Sequence, residues 1–153
     1  LKLEKVSLMP NKLYLVGSKK LDVPKKNPKS ALEGLPLIYR ESGSATRQAM
    51  ERFIAGHDIQ VHKKMELTSN EAVKQAVIAG LGYSVMPVIG LKDELKNGDI
   101  QIIPFKGLPI QTMWNLVWLK DKQFSPAAKA YLEYIQQHKD EIIQEKFKWT
   151  EKF

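Results

Sequence analysis

The stretch with the most promise for chemistry is Arg40-Glu41-Ser42-Gly43-Ser44-Ala45-Thr46-Arg47, which lies between an apolar run and an amphipathic one. Where a strand gives way to a helix, the first turn presents unpaired backbone N–H groups and the positive end of the helix dipole. Small hydroxyl residues there complete a ready anion site. A plainer reading stays open, in which Ser44 or Thr46 only caps the helix and Arg47 pairs with Glu51 one turn on. A second junction of the same kind occurs at Thr68-Ser69-Asn70-Glu71. Two polar strand-to-helix turns converge on one crevice if their strands are neighbours in a parallel sheet. Capping explains each turn separately, so only the pairing favours binding.

The remaining candidate chemistry is weaker. His57, His62 and His138 have no metal-ligand spacing and cysteine is absent, so no metal site is expected and no cofactor is implied. Ser44 lies between Gly43 and Ala45, and Thr46 stands where a nucleophile elbow needs its second glycine. Gly80-Leu81-Gly82 opens like a dinucleotide fingerprint, but Val85 takes the third glycine's place and a helix precedes the motif. It reads better as a helix end followed by tight entry into a strand. No coherent set of acid, base and nucleophile is present, and the expectation is a protein that is not an enzyme.

The elements that position the two turns follow from periodicity. Lys12 to Val16 and Leu35 to Tyr39 are short apolar runs of the buried-strand kind, separated by a polar loop over Gly17 to Lys29 that contains Pro24 and Pro28. From Thr46 the period becomes helical, with Met50, Phe53 and Ile54 on one face and Gly56 placed to end it. Ile59 to Leu67 alternates as a half-buried strand, with Ile59, Val61, Lys63, Met65 and Leu67 on one side. Ser69 or Asn70 caps a second helix whose stripe is Ala72, Val73, Ala76, Val77 and Ala79, stopping at Gly80. Tyr83 to Met86 is a strand closed by Pro87, Val88 to Leu95 a brief helix, Ile100 to Ile103 a strand, and Met113 to Leu119 another. Ser125-Pro126 starts a final helix that buries Ala127, Ala130, Tyr131, Tyr134 and Ile135 and continues through Ile142 and Ile143. Strands alternating with helices make the class α/β with parallel pairing.

The chain of 153 residues is long enough for a real core, and no run approaches a membrane span. The net charge of +7 invites a nucleic-acid reading. Position argues against it, because Lys19, Lys20, Lys25, Lys26, Lys63, Lys64, Lys120 and Lys122 are scattered over different elements. The absence of cysteine fits a cytoplasmic location. Leu1 to Pro10 contains no secretory signal pattern, and the start at Leu1 reads as that of a fragment.

Residues 37–47, from Leu37 to Arg47, and residues 66–87, from Glu66 to Pro87, resemble the effector-binding domain of LysR-type transcriptional regulators in order, spacing and residue type. Glu94-Leu95 with Gly98 and Ile100, then Leu116-Val117-Trp118 and Ser125-Pro126-Ala127-Ala128, resemble that family's closing strand and last helix. The resemblance implies an α/β fold like type II periplasmic binding proteins, bilobal, with mixed, mainly parallel sheets flanked by helices and an effector in the cleft between lobes. It also implies that the fold is incomplete here, lacking the DNA-binding domain and the start of the first lobe. Residues 1–16 would end the first lobe and cross over, 17–87 would form the second lobe, and 88–153 would return to the first. The ligand-binding residues it implies are Ser42, Gly43, Ser44, Thr46, Arg47, Thr68, Ser69 and Gln75, with Arg40 and Glu41 weaker candidates. The implied partners are a small anionic effector, DNA through the missing domain only, and further copies in a homodimer or tetramer, with no membrane. A transporter's solute-binding protein shares this fold and is the alternative; lyase and dehydratase enzymes on the same scaffold would need the catalytic groups not found.

Overall fold

The computed structural model describes residues 2–24 and 28–153. It packs as two compact units, one of residues 1–11 with 111–153 and the other of residues 12–110. The boundaries expected from the sequence, at 16/17 and 87/88, both fall inside the second unit.

Strand β1 (Leu3–Ser18) contributes its first half to one unit and its second half to the other. In the 12–110 unit it is followed by α1 (Pro28–Gly34), β2 (Leu37–Arg40), α2 (Ala45–Gly56), β3 (Lys64–Leu67), α3 (Asn70–Ile78) and β4 (Ser84–Pro87). A 3₁₀ turn (Val88–Gly90), α4 (Lys92–Asn97) and β5 (Ile100–Ile102) complete it. From Leu13 to Ser18 every residue of β1 is buried, because β4 and β5 flank it on both edges and side chains of both parities are covered. Strands β2 and β3 pair in parallel, with Leu37 opposite Lys64 and Arg40 opposite Leu67. Along β2, Leu37 and Tyr39 join Met50 and Phe53 of α2 in the core, while Ile38, pointing the opposite way, is also fully buried. Helices α2 and α3 both pack on β2.

Residues 82–84 fasten β2 to β4. The Ile38 N–H donates to the Tyr83 carbonyl at 2.8 Å, the Tyr83 N–H to the Pro36 carbonyl at 3.0 Å, and the buried Ser84 hydroxyl to the Ile38 carbonyl at 2.7 Å. This approach is so close that a Cβ on Gly82 would stand 2.1 Å from the Pro36 oxygen. Glycine is required here for lack of space, whereas at Gly80 it is the φ of +80° ending α3 that favours it.

The other unit holds the first half of β1, β6 (Ile110–Leu119), α5 (Pro126–Phe147) and a 3₁₀ turn (Lys148–Lys152). Strand β6 pairs with β1, and side-chain bonds from Ser7 to Asn115 and from Asn11 to Thr112 follow that pairing. Along one side, Leu8, Met9, Trp114, Ile135, Ile142, Ile143 and Phe147 line an apolar groove of about 220 Å³.

Several expectations are corrected. Parallel pairing joins β2 to β3, with a Leu37–Tyr83 bridge, whereas β1 runs antiparallel to β4 and β5. The loop expected over 17–29 is shorter: β1 continues to Ser18 and Pro28 opens α1, while residues 25–27, with Lys25 and Lys26, lie outside the described residues. Proline suits a first helical turn, where its missing N–H has no intrahelical partner to lose. The alternation at Ile59–Lys63 forms no strand, and pairing begins only at Lys64, opposite Leu37. Helix α5 starts as expected and runs on past Ile143 to Phe147 but buries no residue fully; Tyr131 and Tyr134 are 62% and 54% exposed. The described residues of its unit cover only part of its apolar face.

The Gly82 contact leads to a prediction. Replacing Gly82 by Ala forces backbone apart and should cost about 3 kcal/mol, the upper range for overpacking. Gly90→Ala, where nothing lies within 4 Å, should stay within about 0.5 kcal/mol. Urea midpoints of the two variants measure the difference.

Candidate functional site

The parallel pairing of β2 and β3 ends both strands at one edge, and α2 and α3 begin immediately beyond. The two polar turns therefore share that edge. Each helix is capped by the serine that precedes it: the Ser44 hydroxyl accepts from the Arg47 N–H at 3.4 Å, and the Ser69 hydroxyl from the Ala72 N–H at 3.0 Å. These caps satisfy one N–H in each helix's first turn, and the dipoles of both helices point their positive ends at the same edge.

Side chains bind the turns together. The Arg40 guanidinium grips Glu41 through Nε at 2.7 Å and Nη2 at 2.9 Å, and its Nη1 donates to the Asn70 side chain in the second turn. Arg47 donates from Nε to Glu51 at 2.9 Å and from Nη1 to the Arg40 carbonyl at 3.1 Å and to Glu66 of β3. Its guanidinium lies 5.8 Å from the Tyr39 ring centre, and the Lys64 ammonium lies 5.1 Å from the same ring. Burial pushes the Tyr39 hydroxyl's pKa up, with Glu51 adding to the effect and Arg47 opposing it. Hydrogen bonding to Arg40 holds the Glu41 carboxyl below the ordinary carboxylate range, and bonds to Glu51 and Glu66 raise Arg47. Arg40 and Arg47 thus meet three carboxylates, Glu41, Glu51 and Glu66.

Of the residues expected to bind, Ser42 and Gly43 form the exposed bend, Gly43 at φ +92° where glycine is favoured. Ser44, Thr46 and Arg47 occupy the cap and first turn of α2, and Thr68 and Ser69 the second junction. All seven come together at the edge. Gln75 does not: it sits more than a turn into α3 and donates to Glu71 at 2.9 Å. The plainer reading of these residues holds, since Ser44 caps α2 and Arg47 pairs with Glu51. Glu66, Asn70 and Tyr39 were missed. Glu66 and Tyr39 are direct partners in the β2–β3 register, and only that register reveals the pair.

Beyond the edge, Lys74 links α3 to α4, reaching Glu94 at 2.8 Å and Glu71 at 2.9 Å, and these bonds raise its pKa. A cavity of about 310 Å³ in the same unit is lined by Val23, Pro24, Pro28 and residues 101–104, none of them from the polar turns. No group of three metal-ligating side chains occurs among the described residues, and none of their helices is long and apolar enough to cross a membrane.

A family model described as the LysR substrate binding domain matches residues 2–140. The chain is 38% identical over 138 residues to the HTH-type transcriptional activator CmpR of Synechocystis sp., covering 88% of this chain and 45% of that protein. It is 39% identical over 125 residues to the RuBisCO operon transcriptional regulator of Acidithiobacillus ferrooxidans, covering 79% and 40%. The chain spans less than half the length of these curated relatives. Among solved structures, the regulatory domain of Synechocystis CcmR in complex with 2-PG superposes with a TM-score of 0.73 at 30% identity, covering 88% of this chain and 66% of that one. The regulatory domain of HypT from Salmonella typhimurium superposes at 0.76 with 15% identity, covering 92% and 66%, which speaks to the fold alone.

The Arg40–Glu41 fork predicts a pH signature. A carboxyl whose folded pKa is depressed contributes stability that is present above its unfolded pKa and lost as pH falls through the folded value. Glu41 should titrate below the ordinary carboxylate range in a carbon-detected NMR titration, and Arg40→Gln should move it back up. Because Glu41 is exposed, the accompanying change in stability should be small.

Proposed function

The chain belongs to the LysR substrate binding domain family, and we propose that it is the effector-sensing part of a bacterial LysR-type transcriptional regulator. It takes up a small anionic metabolite at the edge formed by Ser42, Gly43, Ser44, Thr46, Arg47, Thr68 and Ser69. The observation that carries this reading is the convergence of two helix N-termini, each led by a hydroxyl-bearing turn, at the common end of the parallel β2–β3 pair. Such an edge offers N–H and O–H donors with positive dipole ends behind them, which suits a carboxylate, a sulfate or a phosphate ester. The complex of the CcmR regulatory domain with 2-PG, at 30% identity to this chain, supports a small-metabolite effector.

The chain acts by binding rather than turnover. A ligand shifts a conformational equilibrium only by its difference in affinity for the two states, so tenfold tighter binding to one state moves the balance by about 1.4 kcal/mol. In the whole regulator that shift alters how a DNA-reading segment outside these residues engages its operator, within an assembly of several copies. Regulators among the relatives favour this over a transporter's solute receptor.

Calorimetric titration of the intact regulator with 2-PG tests the reading. Saturable binding is expected, and Thr46→Val, which removes a hydroxyl at nearly constant volume, should weaken it about tenfold. A saturable response to a neutral metabolite with none to anions would overturn the anionic reading.

A further inference from the structure

We propose that Glu66 is a gate on Arg47: its carboxylate occupies the guanidinium when the edge is empty, and an anionic effector binds by taking its place. This rests on the effector-site reading above and adds to it a residue that sets which anions succeed.

Arg47 holds its two carboxylates on different terms. Glu51 lies one turn further along the same helix, so its pairing is fixed by α2 itself. Glu66 comes from β3, two residues before Thr68, and its side chain is 55% exposed against 20% for Arg47. The guanidinium is thus held in place by Glu51, the Arg40 carbonyl and the Tyr39 ring whether or not Glu66 is bound. Glu66 is the partner that can swing into water while everything else stays put. An exposed ion pair of this kind contributes only about 0–1 kcal/mol, so a ligand anion competes with it readily.

The exchange has consequences for selectivity. With Glu66 in place, Arg40 and Arg47 are both occupied by carboxylates, Glu41 on the one and Glu51 and Glu66 on the other. Glu66 holds Arg47 through one bond from Nη1, so a ligand must bring an oxygen of comparable negative charge to displace it. Phosphate esters and dicarboxylates meet that demand better than a lone halide or a neutral polyol. Glu66 therefore acts against weak anions that the helix N-termini alone would admit, a repulsive element of specificity.

The test is titration of the intact regulator with 2-PG as the probe, for the wild type, Glu66→Gln, Arg47→Gln and the double variant. The amide keeps the shape of the carboxylate and removes its charge at an exposed position, so folding should be unaffected. Glu66→Gln should tighten binding about two- to fivefold, in keeping with an exposed pair. In the Arg47→Gln background the same change should give no gain. Unchanged or weaker binding by Glu66→Gln, with the wild type still saturable, overturns the gate and leaves the site reading standing. An equal gain in both backgrounds also overturns it, since Glu66 would then act through its field and not through Arg47. If neither wild type nor Glu66→Gln binds, the site reading itself falls and the gate falls with it.

Discussion

The register of β2 against β3 governs much of what lies around it. Because Leu37 pairs with Lys64 and Arg40 with Leu67 in parallel, both strands finish level and both following helices begin at the same edge. In an antiparallel pair the two C-terminal ends would lie at opposite edges, and two helix N-termini could not meet. The register depends in turn on what sits behind β2. Residues 82–84 hold it through the Tyr83 and Ser84 bonds, and only a glycine at 82 lets the Pro36 carbonyl come close enough. A packing constraint in the core thus fixes the geometry of a surface edge.

Charge at this edge is arranged differently from charge over the chain as a whole. The sequence carries a net charge of +7, yet the turns between β2 and α2 and between β3 and α3 hold matched cations and carboxylates. Attraction of anions to the edge therefore depends on directed donors, the hydroxyls and helix N–H groups, more than on bulk field. Directed donors discriminate by geometry, and that suits a sensor that must answer one metabolite among many. The aromatic ring of Tyr39, with Arg47 and Lys64 near it, keeps the cations in place without neutralising them.

The sequence made the two helices and their caps legible because capping and amphipathic periodicity are local: Ser44, Ser69 and Ser125 each cap the helix that was expected to follow. The convergence of the turns was legible only as a condition, since pairing between distant strands leaves no local trace. Where tertiary context decides, local patterns misled. Ile59–Lys63 alternates like a strand but lacks a partner before Lys64, and Pro28 in a proline-bearing segment begins a helix. The tyrosines of α5 fall on an apolar stripe yet stand exposed, because burial depends on what covers the stripe and not on its period. Glu66 was invisible as a site residue for the same reason: its partners, Tyr39 and Arg47, lie 27 and 19 positions away.

The central claim is that an anionic effector lands on the shared edge of β2 and β3. Backbone amide shifts of the isotope-labelled intact regulator, followed during titration with 2-PG, test it most directly. The account predicts saturating shifts concentrated in residues 42–47 and 68–72, with Glu66 among them. Shifts confined to the segment around Val23, Gln101 and Ile103, with the two turns unmoved, would contradict it.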